Sequence, residues 1–349
     1  MAPLFAMEFS SLAIMLSLFQ YTLSAPANLA VRQSTVPSFA LDYAPMVWLY
    51  SQETYNPGDL QVQIDNTQPE VNFSVVSNAS SPLTLDNLNA LNNLGGANVY
   101  LTSTVSLADN PTYLNGVKPN SVGETVGAKS CTIIINDHGG SSTVDVYFLY
   151  FYNYNRGDVI FGDEFGDHVG DWEHNMIRFE NGVPSQLWYS QHQSGEAFTY
   201  GATEKIGQRP VSYSGNGTHA NFAISGEHDH TLEGLNIPFL GPLIDYTDQG
   251  TLWDPTLSAY IYNYDFASNT YTAYNGEDPV NWLYFLGAWG DEQYPTSNPI
   301  QSEPLGISLL AKYTGGPTGP YDKDLNRTNV CPDSVSPCVV SPILRPKKL

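Results

Sequence analysis

Proline or glycine interrupts nearly every long window of this chain, with 24 Pro and 29 Gly among 349 residues. Both break helices, one by removing a donor and the other by its backbone entropy, so helices of many turns are disfavoured. The best helical pattern is Thr84–Asn93, with Leu85, Leu88 and Leu91 on one side. Between the breaks, apolar residues fall in short β-branched or aromatic runs. Val71–Val76, Cys131–Asn136 and Asp145–Tyr154 read as strands. Trp172–Phe179 and Ser185–Ser190 flank Glu180-Asn181-Gly182, and Asn-Gly between two apolar runs predicts a hairpin. Thr218–Ile224, Ala259–Phe266 and Asn281–Leu286 add further strands. Many short strands with frequent turns must close a core sheet on sheet. The expected class is therefore mainly β, a β-sandwich of antiparallel sheets with long loops and few short helices. No internal repeat is visible.

Aromatic residues make up 13% of the chain and hydrophobic ones 42%, enough buried apolar area to exclude intrinsic disorder. The 35 acidic and 13 basic side chains give a formal net charge of −22. A surface of that sign repels nucleic acid and is disfavoured at an anionic membrane. A divalent cation, a basic protein or a neutral polar ligand such as a glycan remains open.

Leu12–Phe19 is an apolar run followed by Ser24-Ala25-Pro26-Ala27, the pattern of a secretory signal peptide over residues 1–25. No Lys or Arg precedes the run and Glu8 stands where positive charge is expected, so a short uncleaved anchor is the alternative. Beyond the leader no segment approaches the ~20 apolar residues a membrane helix needs. Residues 26–39 read as a linker, 40–314 as a single all-β domain and 315–349 as a loosely ordered tail. Sequons at Asn72, Asn78, Asn216 and Asn326 agree with passage through the secretory pathway to the exterior or a vacuolar lumen. In that oxidising setting Cys331 and Cys338 can form a local disulfide, leaving Cys131 as a buried thiol.

Chemistry concentrates between residues 158 and 230. Six of seven histidines lie at 168–230, and Asp158, Asp163, Glu164, Asp167, Asp171 and Glu173 fall within 16 positions. On a strand, Asp171 and Glu173 share one face while Trp172 and His174 take the other. Two same-face carboxylates repel unless a cation lies between them. His168, placed in a Gly-flanked turn, can fold back over that pair. One imidazole and two carboxylates suit a divalent cation, with Ca²⁺ or Mg²⁺ favoured and Mn²⁺ or Zn²⁺ as alternatives. His174, His192 and His219 read as supporting residues or further ligands. His228-Asp229-His230 reads as a polar loop, with a second metal site as the alternative.

The stretches Tyr43-Ala-Pro-Met-Val-Trp-Leu49, Asp167-His-Val-Gly-Asp-Trp-Glu-His174 and Trp188-Tyr-Ser-Gln-His192 carry a resemblance. It continues through Arg209–Asn221, Gly226-Glu-His-Asp-His230, Asp245–Pro255 and Trp289-Gly-Asp291. Over about residues 40–312 the chain resembles the vacuolar protein sorting-associated protein 62 family of fungi. That resemblance implies a link to vacuolar delivery, with a protein partner of the sorting pathway, and implies no established reaction. His168-Val-Gly-Asp-Trp-Glu-His174 also looks like the G-H-R-H-D-W-E motif of necrosis- and ethylene-inducing-peptide-like proteins. Those are secreted β-sandwiches whose divalent cation helps engage sugar head groups of membrane sphingolipids. The resemblance, over about residues 147–192, implies His168, Asp171 and Glu173 as ligands, with Asp158 or Asp163 as the upstream Asp. Gly170 replaces the motif's second His and Asp167 its leading Gly.

The reading that follows is a cation-dependent binder of a glycan or lipid head group rather than an enzyme. No Gly-x-Ser-x-Gly elbow is present and no Ser or Cys is paired in sequence with a base. The alternatives are a metal-dependent hydrolase built on His168, Asp171 and Glu173, and a metal-free sorting factor whose acidic loop is only a recognition surface.

Overall fold

A computed structural model describes residues 35–160, 162–230 and 243–345. The leader, most of the linker and the last four residues lie outside the described residues. In chain order, the strands that build the site are β1 (Met46–Leu49), β2 (Cys131–Asn136), β3 (Thr143–Asn155), β4 (His168–Glu180) and β5 (Val183–Gln191). They continue with β6 (Ser194–Thr199), β7 (Arg209–Ser214), β8 (Gly226–Asp229), β9 (Ile244–Thr247) and β10 (Thr251–Trp253). Last come β11 (Ala259–Asp265), β12 (Thr270–Ala273) and β13 (Val340–Ser341).

An eight-stranded sheet of order β12-β11-β2-β3-β4-β5-β6-β13 forms the centre of the molecule. Alternation along β3 gives it two apolar faces. Phe148 and Tyr150 join Ile133, Ile177 and Phe179 on one side, where Val47, Leu49 and Trp253 of the smaller sheet cover them. In that smaller sheet β1 lies between β7 and β10. Tyr147, Leu149 and Phe151 face the other way, onto Trp172, Trp282, Trp289 and Leu88, supplied mainly by loops and short helices. The expected sheet-on-sheet class holds, with three parallel pairs, β1 with β7, β2 with β11 and β6 with β13, among antiparallel neighbours.

The β4–β5 hairpin turns at Asn181 and Gly182, both at positive φ (52° and 75°), as Asn-Gly requires. Other expectations shift. Val71–Val76 is not one strand but the turn of a hairpin, Thr67–Val71 with Ser74–Val75, because Asn72 and Phe73 both take positive φ. The helix expected over Thr84–Asn93 is a 3₁₀ helix, Leu88–Asn93, which still buries Leu88 and Leu91. The Asn87 side chain accepts the Thr84 N–H and delays its start. Asn281–Leu286 is likewise helical, as the 3₁₀ turn Asn281–Tyr284, since it must seat Trp282 in the loop-side core rather than pair with a sheet. Of Thr218–Ile224 only Asn221–Phe222 is a strand, because His219 sits at φ 57°. The linker ends early, in the short helix Ser38–Asp42, with Phe39 packed 4.8 Å from Phe179.

The segment after residue 315 was expected to be loose, yet it is fastened at several points. Leu325, Val330 and Cys331 join the loop-side core, and β13 pairs with β6 at the sheet edge. Lys323 Nζ donates to the Trp172 carbonyl at 3.3 Å. Cys331 and Cys338 form a disulfide. Cys131 is free and buried in β2, where burial pushes its thiol well above the usual range. No described helix is long and apolar enough to cross a membrane.

Candidate functional site

The acidic run separates into carboxylates with different partners. Asp158 begins a small hairpin, Asp158–Ile160 with Asp163–Phe165, and places Oδ2 3.0 Å from His230 Nε2. Asp163 is exposed, and Glu164 meets Lys312 at 3.2 Å. Asp167 is buried, accepting Gly157 N–H at 2.9 Å and Tyr154 O–H at 3.0 Å.

His168 is not in a turn but is the first residue of β4, and its Nδ1 lies 2.7 Å from the Gly170 carbonyl. Two residues on, Gly170 takes φ +67°, which local sequence patterning does not reveal. Asp171 Oδ2 is 2.9 Å from His219 Nδ1, and His219 Nε2 is 2.9 Å from the Tyr55 carbonyl. Both His219 nitrogens therefore face acceptors, an arrangement that favours the doubly protonated ring. Burial opposes that charge, but the Asp171 hydrogen bond and the Glu53 charge raise the imidazole pKa. The ring stacks on Tyr152 at 3.6 Å, which fixes it as the orienter of Asp171 with no nitrogen left for a metal.

Glu173 accepts the His192 N–H at 3.0 Å and a short bond from Ser190 Oγ. Burial and the Asp171 charge push its carboxyl up to about 7. His174 points to the opposite face, with Nε2 2.8 Å from Arg327 Nη2. Burial and the Arg327 charge hold its imidazole well below the usual range. Among the described residues, no three of Asp158, His168, Asp171 and Glu173 bring donor atoms within 4.8 Å of one another. A carboxylate pair on one strand face reaches inward to the hydrogen bonds that bury it, while His168 turns onto its own backbone.

Donor atoms gather instead at His192, His230 and Asp245, all within 4.8 Å of one another. His192 follows β5 at φ 55°, a left-handed conformation uncommon for a residue with a side chain. β8 and β9 pair His228 with Asp245, so the residue after β8 brings His230 beside it. The two rings stack at 4.4 Å. Asp245 Oδ2 is 2.9 Å from His192 Nε2 and 3.9 Å from His230 Nε2. Asp245 Oδ1 accepts a short bond from Thr218 Oγ1. Burial works against the Asp245 charge, but His192 and His230 outweigh it and hold the carboxyl below its ordinary value. His228 is not part of the cluster. It stacks on Phe222 at 3.8 Å and bonds Thr247 Oγ1 at 3.0 Å.

His192 thus belongs to the donor group, whereas His174 and His219 do not. His230 and Asp245 are the residues that sequence reasoning missed as a pair. The His228-x-His230 spacing was the one signal available, and nothing local points to Asp245.

The profile of the vacuolar protein sorting-associated protein 62 family matches residues 20–302. This chain belongs to that family. Vacuolar protein sorting-associated protein TDA6 of Saccharomyces cerevisiae is 36% identical over 329 residues, covering 85% of this chain and 68% of its own length. Vacuolar protein sorting-associated protein 62 of the same yeast is 31% identical over 336 residues, covering 86% and 68%. Family membership gives the chain a role related to vacuolar protein sorting and a vacuole-related location. Among solved structures, the non-toxic HaNLP3 protein aligns at 9% identity with a TM-score of 0.28, covering 65% of this chain and 76% of that one. Necrosis and Ethylene inducing Protein 2 from the causal agent of cocoa's witches' broom disease aligns at 10% and 0.26, with the same coverage. At such scores the likeness carries no argument.

A change of pH bears on the buried carboxyls. Asp291 is 3% exposed, accepts Ser103 N–H at 2.7 Å and bonds Tyr294 O–H. Burial nonetheless pushes its carboxyl up to about 6. A folded pKa above the unfolded one means that stability is fully present below the unfolded value, about 3.9, and is lost as pH rises through 6. Relative to Asp291→Asn, the native protein should therefore lose on the order of 2 kcal/mol between pH 4 and pH 7.5. Urea unfolding across that range checks it, and a pH-independent difference would refute it.

Proposed function

We propose that this sorting-family protein works in the secretory and vacuolar lumen as a binding module whose polar ligand, a glycan or a lipid head group, is engaged through a divalent cation. His192, His230 and Asp245 would hold the ion, with Asp158 beside them. The observation that carries this reading is the convergence of two imidazole nitrogens and a buried carboxylate within 4.8 Å. Donors around a tetrahedral ion, with bonds of about 2.0–2.2 Å, stand roughly 3.3 Å apart. The distances of 2.9 and 3.9 Å bracket that value. His230 Nε2 is also buried with no aligned hydrogen-bond partner, although Asp158 Oδ2 is 3.0 Å away. Two imidazoles change the preferred ion. Nitrogen donors suit Zn²⁺ or Mn²⁺ better than Ca²⁺ or Mg²⁺, which favour all-oxygen sites. Three protein donors leave a coordination position for a ligand hydroxyl or phosphate oxygen.

The purified full chain should carry about one equivalent of metal by elemental analysis. Chelation should lower its melting temperature, and an ion at 100 times its Kd contributes about 2.7 kcal/mol. His230→Ala and Asp245→Asn should abolish both the metal and the chelator response. Binding on a glycan or lipid array should disappear with EDTA. Absence of stoichiometric metal, together with an unchanged melting temperature in EDTA, would leave the metal-free sorting factor as the better description.

A further inference from the structure

Far along the large sheet from the histidines, the β11–β12 hairpin and the segment around residue 321 enclose an open cavity of about 500 Å³. That is within the ~300–1,000 Å³ typical of sites for small organic ligands. Its wall is aromatic and its rim polar. Tyr264 and Tyr271 stack at 4.6 Å and form the floor, each less than a tenth exposed. Phe266 and Tyr321 stand at the mouth, 54% and 47% exposed. Large rings left in water around a concavity mark a surface that something covers. Asn326 also lines this cavity, and it opens the sequon Asn326-Arg327-Thr328.

Asn326 Oδ1 accepts from Asn136 Nδ2 at 3.3 Å, on the sheet side. The Asn326 side chain also hydrogen-bonds His138, so its amide is held at the end of β2, in the wall of the cavity. Thr328 is exposed at the surface. We propose that the aromatic cavity is the seat of the chain's own N-linked glycan, attached at Asn326 and packed against Phe266 and Tyr321. Attachment forms a bond between the amide nitrogen and C1 of the first sugar. The bond from that C1 to the pyrophosphate of a lipid-linked oligosaccharide breaks, and the amide proton leaves with the displaced pyrophosphate. The apolar faces of the sugar rings then cover the exposed aromatic carbon, and the hydroxyls meet the rim carboxylates Asp324 and Asp333, which would repel an anionic occupant. The sequons at Asn72 and Asn78 differ, since both residues are exposed and neither lines the cavity.

The inference rests on the secretory reading, and one experiment separates the two. The full chain is expressed in a glycosylating eukaryotic host, treated natively with an endoglycosidase, and each sequon is followed by peptide mass spectrometry. Asn326 should be occupied, and its glycan released at least tenfold more slowly than those at Asn72 and Asn78. Denaturation should erase the difference, as should Phe266→Ala with Tyr321→Ala in the still-folded protein. Equal release rates, or a rate unmoved by those substitutions, would overturn the proposal. An empty Asn326 beside occupied Asn72 and Asn78 would also overturn it while leaving the secretory reading intact. If no sequon is occupied, both fail.

Discussion

Gly170→Ala should lower the unfolding free energy by about 3–5 kcal/mol, although it adds a single methyl group. Two costs add. At φ +67° any side chain strains the backbone by roughly 1–2 kcal/mol. A Cβ there would also stand 2.2 Å from the Trp289 carbonyl oxygen and 3.0 Å from its carbon. That carbonyl cannot retreat easily. It accepts from Gln63 Nε2 at 2.7 Å, the Trp289 N–H donates to Pro317 at 2.8 Å, and the indole is wedged against Phe151, Trp172 and Trp282. Steric overlap in a packed core is relieved only by moving backbone, which is why the expected loss exceeds that of an ordinary surface change. The urea midpoint should fall with an unchanged slope. A loss under 1 kcal/mol would show that the loop bearing Trp289 can shift.

Arg327→Ala is expected to cost a similar amount, about 3–5 kcal/mol, by a different route. The guanidinium is only 2% exposed and bridges four acceptors. Its Nη2 reaches His174 Nε2 at 2.8 Å and the Lys323 carbonyl at 3.1 Å. Nε reaches the Asp324 carbonyl at 3.0 Å and Nη1 the Val330 carbonyl at 3.3 Å. The group also lies 5.1 Å over the Tyr147 ring and 5.9 Å from that of Trp188. Truncation strands buried acceptors and opens a cavity above the sheet, each a large penalty. Arg327→Lys should recover only part of the loss, since one ammonium cannot reproduce the planar fork. Both variants should make the segment after residue 320 more sensitive to limited proteolysis. Stability within 1 kcal/mol of the native protein would mean that the segment is held by its other contacts.

Arg327 also shows where sequence patterning stops. From residue 315 onward the chain is rich in Pro and polar residues, with little periodicity, and so resembles a loose tail. Its attachment is made by individual side chains: Leu325 and Val330 join the loop-side core, and Arg327 reaches back 153 positions to His174. The 3₁₀ turn at Asn281–Tyr284 departs from its strand-like pattern for a related reason. Its aromatic and apolar residues suit a strand by propensity, but burial of Trp282 among Trp172 and Trp289 decides the local conformation.

Local patterning alone carries the β class, the Asn181-Gly182 hairpin and the two faces of β4. Those properties depend on turn chemistry and a side-chain period of two, which neighbouring residues enforce on one another. Only the tertiary structure decided which donors meet. Asp171 was free by alternation to take a cation or a partner, and it faces His219, 48 positions away. His192 faces Asp245, 53 positions away. Alternation fixes the direction a side chain leaves its strand, but what stands opposite depends on how β5, β8 and β9 are brought together. That arrangement is set by burial of the whole apolar surface, which no local pattern contains.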